Sequence, residues 1–139
     1  MKRVSAIIVV TLLAGCESSE RREAERLADA VARFRRASNE EEPSTAAALR
    51  AVPCTVDEVC RARDTCLHAA DLIARSLRLR DDVTVGLAMV DAGKWTVGSA
   101  EARGLAEKLD EAERVLQEGF QGLPDCDERM QSVKRRYRF

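Results

Sequence analysis

From Ser18 to the C-terminus, apolar residues return about every 3.6 positions, and no segment alternates apolar and polar as a half-buried strand would. That period commits the chain to helices, each with one apolar stripe to bury against another. Composition agrees. Charged residues make up 34% of the 139 and aromatic residues only 4%, a mix suited to solvated helices rather than to a β-sandwich. A chain of this length is about one domain. The expectation is an all-α fold, a small antiparallel bundle of about five to six helices stapled by disulfides, occupying residues 20–139.

The punctuation places the helices. The first is expected over about Ser19 to Ser38, with Ala24, Leu27, Ala28, Val31 and Phe34 as its stripe and Glu17, Glu20 and Glu23 crowding its start. Pro43 fits the first turn of a short helix that stops before Pro53. Thr55 with Glu58 three residues later reads as a capping box opening a third helix, Val56 to about Arg80. A fourth is expected over Asp82 to Ala92, with Gly93 as its stop. Ser99 caps a fifth helix reaching Glu118, ended by Gly119 and Gly122, and Asp125 with Glu128 opens a last one.

The first sixteen residues follow different rules. Met1, Lys2 and Arg3 make a basic start, and Val4 to Leu13 is an apolar run of ten residues. A bilayer span needs roughly 20. A basic segment, a short apolar core and small residues form the pattern of an export signal. Its end, Leu13-Ala14-Gly15-Cys16, resembles the lipobox of bacterial lipoprotein precursors. The resemblance implies that residues 1–15 are a cleaved signal peptide and that Cys16 is lipidated. It also implies fatty acyl chains such as palmitate on Cys16, with residues 16–19 forming a short tether. More than one acyl chain makes a stable anchor. Glu17 follows, not the aspartate of the Gram-negative inner-membrane retention rule, so the expected site is the outer membrane, facing the periplasm, rather than the inner membrane.

Four further cysteines remain: Cys54, Cys60, Cys66 and Cys126. An even number in an exported chain argues for disulfides. Cys60 and Cys66 lie six apart on one expected helix, a rise of about 9 Å on faces roughly 120° apart. A disulfide wants Cα atoms within about 7 Å, so an intact helix excludes that pair. Cys54, just before the expected cap, reaches Cys60 far more easily than Cys66, which lies about 16 Å down the axis. Cys66 is left for Cys126, closing a long loop worth roughly 4 kcal/mol on the chain-entropy model. Metal or redox use is the weaker reading, because no C-x-x-C is present and His68 falls on a different face from Cys66.

Little else carries chemistry. His68 is the one histidine, with no orienting partner that spacing alone can place. Asp81-Asp82 and Glu40-Glu41-Glu42 lack calcium-loop spacing, and the glycines are not gathered after a strand as in a phosphate loop. Neither catalytic nor cofactor-binding nor metal-ligating residues are expected. A net charge of −1, falling to −3 once Lys2 and Arg3 are removed, points away from nucleic acid. Two features remain as interaction candidates. Trp95 lies in the loop "GKWTVGS", where the favoured role is a lid on the bundle end and the other an interface residue. The tail "KRRYRF" places Arg135, Arg136 and Arg138 where cations suit a helix C-terminus, or where they meet anionic lipid or cell-wall polymer. The functional expectation is a lipid-anchored, non-catalytic envelope protein with a structural or protein-interaction role and an envelope protein as partner. The competing class is an envelope enzyme or enzyme inhibitor.

Overall fold

The structure, a computed structural model, describes residues 18–139. The signal segment, the lipidation at Cys16 and the charge at Glu17 lie outside them. The described chain is all-helical: α1 (Ser19–Arg36), α2 (Glu42–Arg50), α3 (Asp57–Asp91) and α4 (Ala100–Tyr137). It has four helices rather than five or six, because two expected breaks are absent. The stretch expected as two helices around Asp81-Asp82 is one helix of 35 residues. An exposed aspartate costs a helix only a few tenths of a kcal/mol, and Asp82 recovers some of it by accepting from the Lys108 ammonium at 3.2 Å.

The second absent break is more informative. Gly119, Gly122 and Pro124 all lie inside α4, a helix of 38 residues. The glycines do not end the helix; they let it approach α3. A Cβ placed on Gly119 would stand 2.8 Å from Ile73 Cγ1 and 3.1 Å from the Ala69 carbonyl oxygen. One on Gly122 would stand 3.3 Å from the Ala69 Cβ. Close packing of this kind offsets the helix penalty of glycine. Pro124 removes the N–H that would meet the Phe120 carbonyl, and it sits exposed. Asp125 and Glu128 are therefore mid-helix residues, not a cap.

Caps at the other starts sort themselves by partner. Ser18 accepts from the Arg21 N–H at 3.2 Å, and Ser99 from the Ala102 N–H at 3.1 Å. The Thr55–Glu58 box does not form, and α3 begins after Val56 with no side-chain cap of its own. Glu58 turns away to accept from the Ser132 hydroxyl and the Arg136 guanidinium. A Ser-x-x-Glu pair closes elsewhere: Glu41 accepts from both the N–H and the hydroxyl of Ser38, each at 3.0 Å, in the turn before α2.

α3 and α4 form one long antiparallel hairpin, about 50 Å from end to end. α1 and α2 pack only against its lower part. The main core joins Leu27, Val31 and Phe34 of α1, Ala46 and Leu49 of α2, Val59 to Ala74 of α3, and Cys126, Met130 and Val133 of α4. Two disulfides close it. Cys54–Cys60 fastens the α2–α3 connection to the second turn of α3, with Cα atoms 5.3 Å apart. Cys66–Cys126 joins the middle of α3 to α4, with Cα atoms 4.6 Å apart. Beyond Ser76, whose buried hydroxyl donates to the Ala112 carbonyl at 2.7 Å, the hairpin continues as a two-helix arm with no third helix beside it among the described residues.

Two glycine replacements separate packing from propensity. Gly119→Ala forces α4 off α3 and is expected to lower stability by about 1–2 kcal/mol. Gly104→Ala meets nothing within 4 Å and is expected to raise stability by up to about 1 kcal/mol. Denaturant midpoints of the two variants check both signs.

Candidate functional site

Two regions bear on function, at opposite ends of the hairpin. The lower end gathers the start of α1, the start of α3 and the end of α4. Glu23 of α1 holds them together. Its carboxylate accepts from the backbone N–H of Thr55 (2.6 Å) and Val56 (3.0 Å) and from the Thr55 hydroxyl (2.8 Å). It supplies from a neighbouring helix the anionic acceptor that α3's own first turn lacks. Burial pushes the Glu23 carboxyl up. The N–H groups of Val56 and Thr55, the Thr55 hydroxyl and the charge of Arg26 outweigh it, holding the carboxyl below its usual value of 4.5.

The C-terminal cations end at this face. Arg136 donates to Glu58 at 2.6 Å and stands 5.8 Å from the centroid of the Tyr137 ring. Arg135 lines a shallow polar cleft with Asp125, Glu128, Arg129 and Ser132. Arg138 is the left-handed C-cap of α4, its N–H donating to the Lys134 carbonyl. The acidic residues Glu20, Glu23 and Glu58 act on the same Tyr137 side chain. The lower face is thus a mixture of charges rather than a basic patch. Tyr137 packs against the core, and among the described residues its buried hydroxyl has no hydrogen-bond partner.

The upper end is apolar. A groove of about 330 Å³ runs along the arm, lined by Val83, Leu87 and Val90 of α3, Val97 of the tip loop, and Ala102, Leu105, Ala106 and Leu109 of α4. Its walls are open: Leu87 is 53% exposed, Val97 80% and Leu109 39%. Trp95 closes the tip of the hairpin. Its N–H and that of Lys94 both donate to the Met89 carbonyl, bringing the ring over Gly86. There a Cβ would meet Leu105 and stand 3.1 Å from the indole. Trp95 is half-buried, next to the groove but not among its lining residues. Sequence reasoning missed the groove. By period, Val83, Leu87 and Val90, and likewise Leu105 and Leu109, read as ordinary inward faces, because period alone does not tell a covered stripe from an open one.

His68 and Asp71 line one cleft between α2 and α3, but Asp71 receives the Arg50 guanidinium on both oxygens at 2.6 Å. No serine, threonine or cysteine lines that cleft. Among the described residues, no group of three or more histidine, cysteine, aspartate or glutamate side chains is placed to hold a metal ion. Among them also, no helix is long and apolar enough to cross a membrane. No protein-family model, curated protein or solved structure matches this chain.

Two measurements test the lower end. A carboxylate with a depressed folded value stabilises above the unfolded value and loses that effect as pH falls through the folded one. Glu23→Gln is therefore expected to lower neutral-pH stability by about 1 kcal/mol. It should also flatten the loss of stability that begins as pH falls through about 4.5, read from thermal melts at stepped pH. Tyr137→Phe removes an unsatisfied buried hydroxyl and is expected to leave the melting temperature unchanged or raise it.

Proposed function

We propose that this protein is a lipid-anchored, non-catalytic component of the bacterial envelope whose arm is a docking surface for another helical element. The observation that carries the interaction role is the open apolar groove of the arm. Isolated surface leucines are ordinary, but a continuous apolar groove between two helices is where an amphipathic helix lays its face. Leu87, Val97 and Leu109 reach it from three separate segments and stay exposed.

Two features support the anchor. The lipobox-like Leu13-Ala14-Gly15-Cys16 directly precedes the folded domain, since α1 opens at Ser19 after its Ser18 cap. Such a short tether holds the lower end of the hairpin against the membrane surface. The disulfides fit an oxidising compartment outside the cytoplasm. The proposed site is the outer membrane, facing the periplasm.

Replacing Cys16 with serine tests the anchor. The variant is expected to leave the membrane fraction and appear in the soluble periplasmic extract. Intact mass of the native protein should show acyl chains on a chain that starts at Cys16. A membrane-bound Cys16→Ser protein, or a native N-terminus without added lipid mass, would refute the anchoring.

A further inference from the structure

We infer that the arm groove is covered by the arm of a second copy of this chain, the two arms lying antiparallel. The inference rests on reading the groove as a docking surface and names its occupant. It is independent of the lipid anchor.

The first argument is continuity with a seam already filled inside the molecule. Along α4, Ala102, Leu109, Leu116, Leu123, Met130 and Tyr137 recur every seven residues, one stripe for the whole helix. Its lower part is covered: Leu116, Leu123 and Tyr137 pack against the core and Met130 lies within it, beside Ala28, Val31 and Ala32 of α1. Arg35, near the end of α1, donates to Asp127 beside that stripe. Then α1 ends at Arg36 and the stripe goes on without it, to Leu109 at 39% exposure. Among the described residues, the upper groove therefore lacks the helix that the lower part of the same face has.

Charge decides which helix fits. Arg80 and Asp91 lie seven residues before and four after Leu87, so both flank the groove on the α3 side. Arg103 and Asp110 stand three before and four after Ala106, flanking it on the α4 side. All four are exposed. Among the described residues, Arg80, Asp91, Arg103 and Asp110 make no ion pair; the Arg103 guanidinium donates to the Gly98 carbonyl of the tip loop, which leaves its other N–H groups for a partner. Asp82 is level with Lys108, and Gly86 with Leu105. The midpoint between Arg80 and Asp91 is thus level, within about one to two residue rises, with the midpoint between Arg103 and Asp110. A two-fold axis at that level, across the arm, brings each Arg80 to Asp91 of the second copy and each Arg103 to Asp110 of the second copy. Four complementary pairs then frame one apolar seam, the self-complementary pattern an isologous dimer requires.

Position excludes the other symmetric pairing. With both arms pointing the same way, α1 of one copy would meet α1 of the other, because α1 stands on the groove side of α4. With the arms antiparallel, each tip meets the end of the other copy's α1 instead. The face measures about 20 Å along the helices and about 20 Å across two of them, about 800 Å² in total over both partners, which is below the range of stable interfaces and in that of weak, transient ones. Association is therefore modest in solution and favoured where the chain is concentrated.

The test uses the full chain in its own membrane, with a photo-crosslinking amino acid at the exposed position Leu109. The expected product has twice the chain mass, and its crosslinked peptide comes from this same sequence. Arg80→Asp alters two symmetric pairs and is expected to cut the yield about threefold or more. Adding Asp91→Arg to the same chain restores it. Circular dichroism of each variant checks that the helices remain. A crosslink to a different protein would overturn the second copy as occupant while leaving the groove a docking surface. No crosslink at all would overturn both. A double variant no better than Arg80→Asp would overturn the antiparallel register.

Discussion

Everything in this molecule hangs on the close approach of α3 and α4. Gly119 and Gly122 remove the side chains that would hold the two helices apart, and Ala69 presents the small facing surface. Three residues beyond Leu123, on the same part of α4, the Cys66–Cys126 disulfide crosses the same contact. Because the helices meet there without intervening side chains, they remain paired far above and below. Below, α1 and α2 are laid against the pair. Above, the pair stands by itself.

The two halves are held by different forces. The lower part has a four-element core, both disulfides, and the Arg50–Asp71 and Arg35–Asp127 ion pairs that fasten α2 and α1 to the hairpin. The arm has a narrow seam, the Ser76–Ala112 hydrogen bond, and the Arg75–Glu111 and Lys108–Asp82 ion pairs on its back. Exposed ion pairs add little, and two helices alone bury little apolar area. The arm should open before the base does. A surface that gains its missing neighbour on association is the usual way such a segment becomes firm, which is why the groove and the thinness of the arm belong to one account.

Charge is spent locally in this chain. Of the 23 basic and 24 acidic residues, several answer a specific neighbour: Glu23 answers the bare start of α3, Glu58 answers Arg136, and Asp71 answers Arg50. The tail cations are absorbed into this mixture at the lower face. At the groove, Arg80, Asp91 and Asp110 have no ion-pair partner among the described residues and Arg103 donates to the Gly98 carbonyl; it is their spacing that carries the symmetry argument.

Helix class, the start of α1, the Ser99 cap of α4 and the stop at Gly93 were legible in the sequence, because period and capping are local properties. The disulfide alternatives were limited by helix rise alone. Helix number was not legible. Gly119 reads as a terminator until Ile73 is seen against it, and Thr55–Glu58 reads as a capping box until Glu23 is seen to take its place. Nor did the period of Val83, Leu87 and Leu109 say whether anything covers them. Sequence determined which residues want burial and which backbone ends want a partner. Only the tertiary structure decided who supplies that partner, since a cap or a cover is satisfied by whatever lies nearest in space, and residues far apart in the chain become neighbours only once the helices have packed.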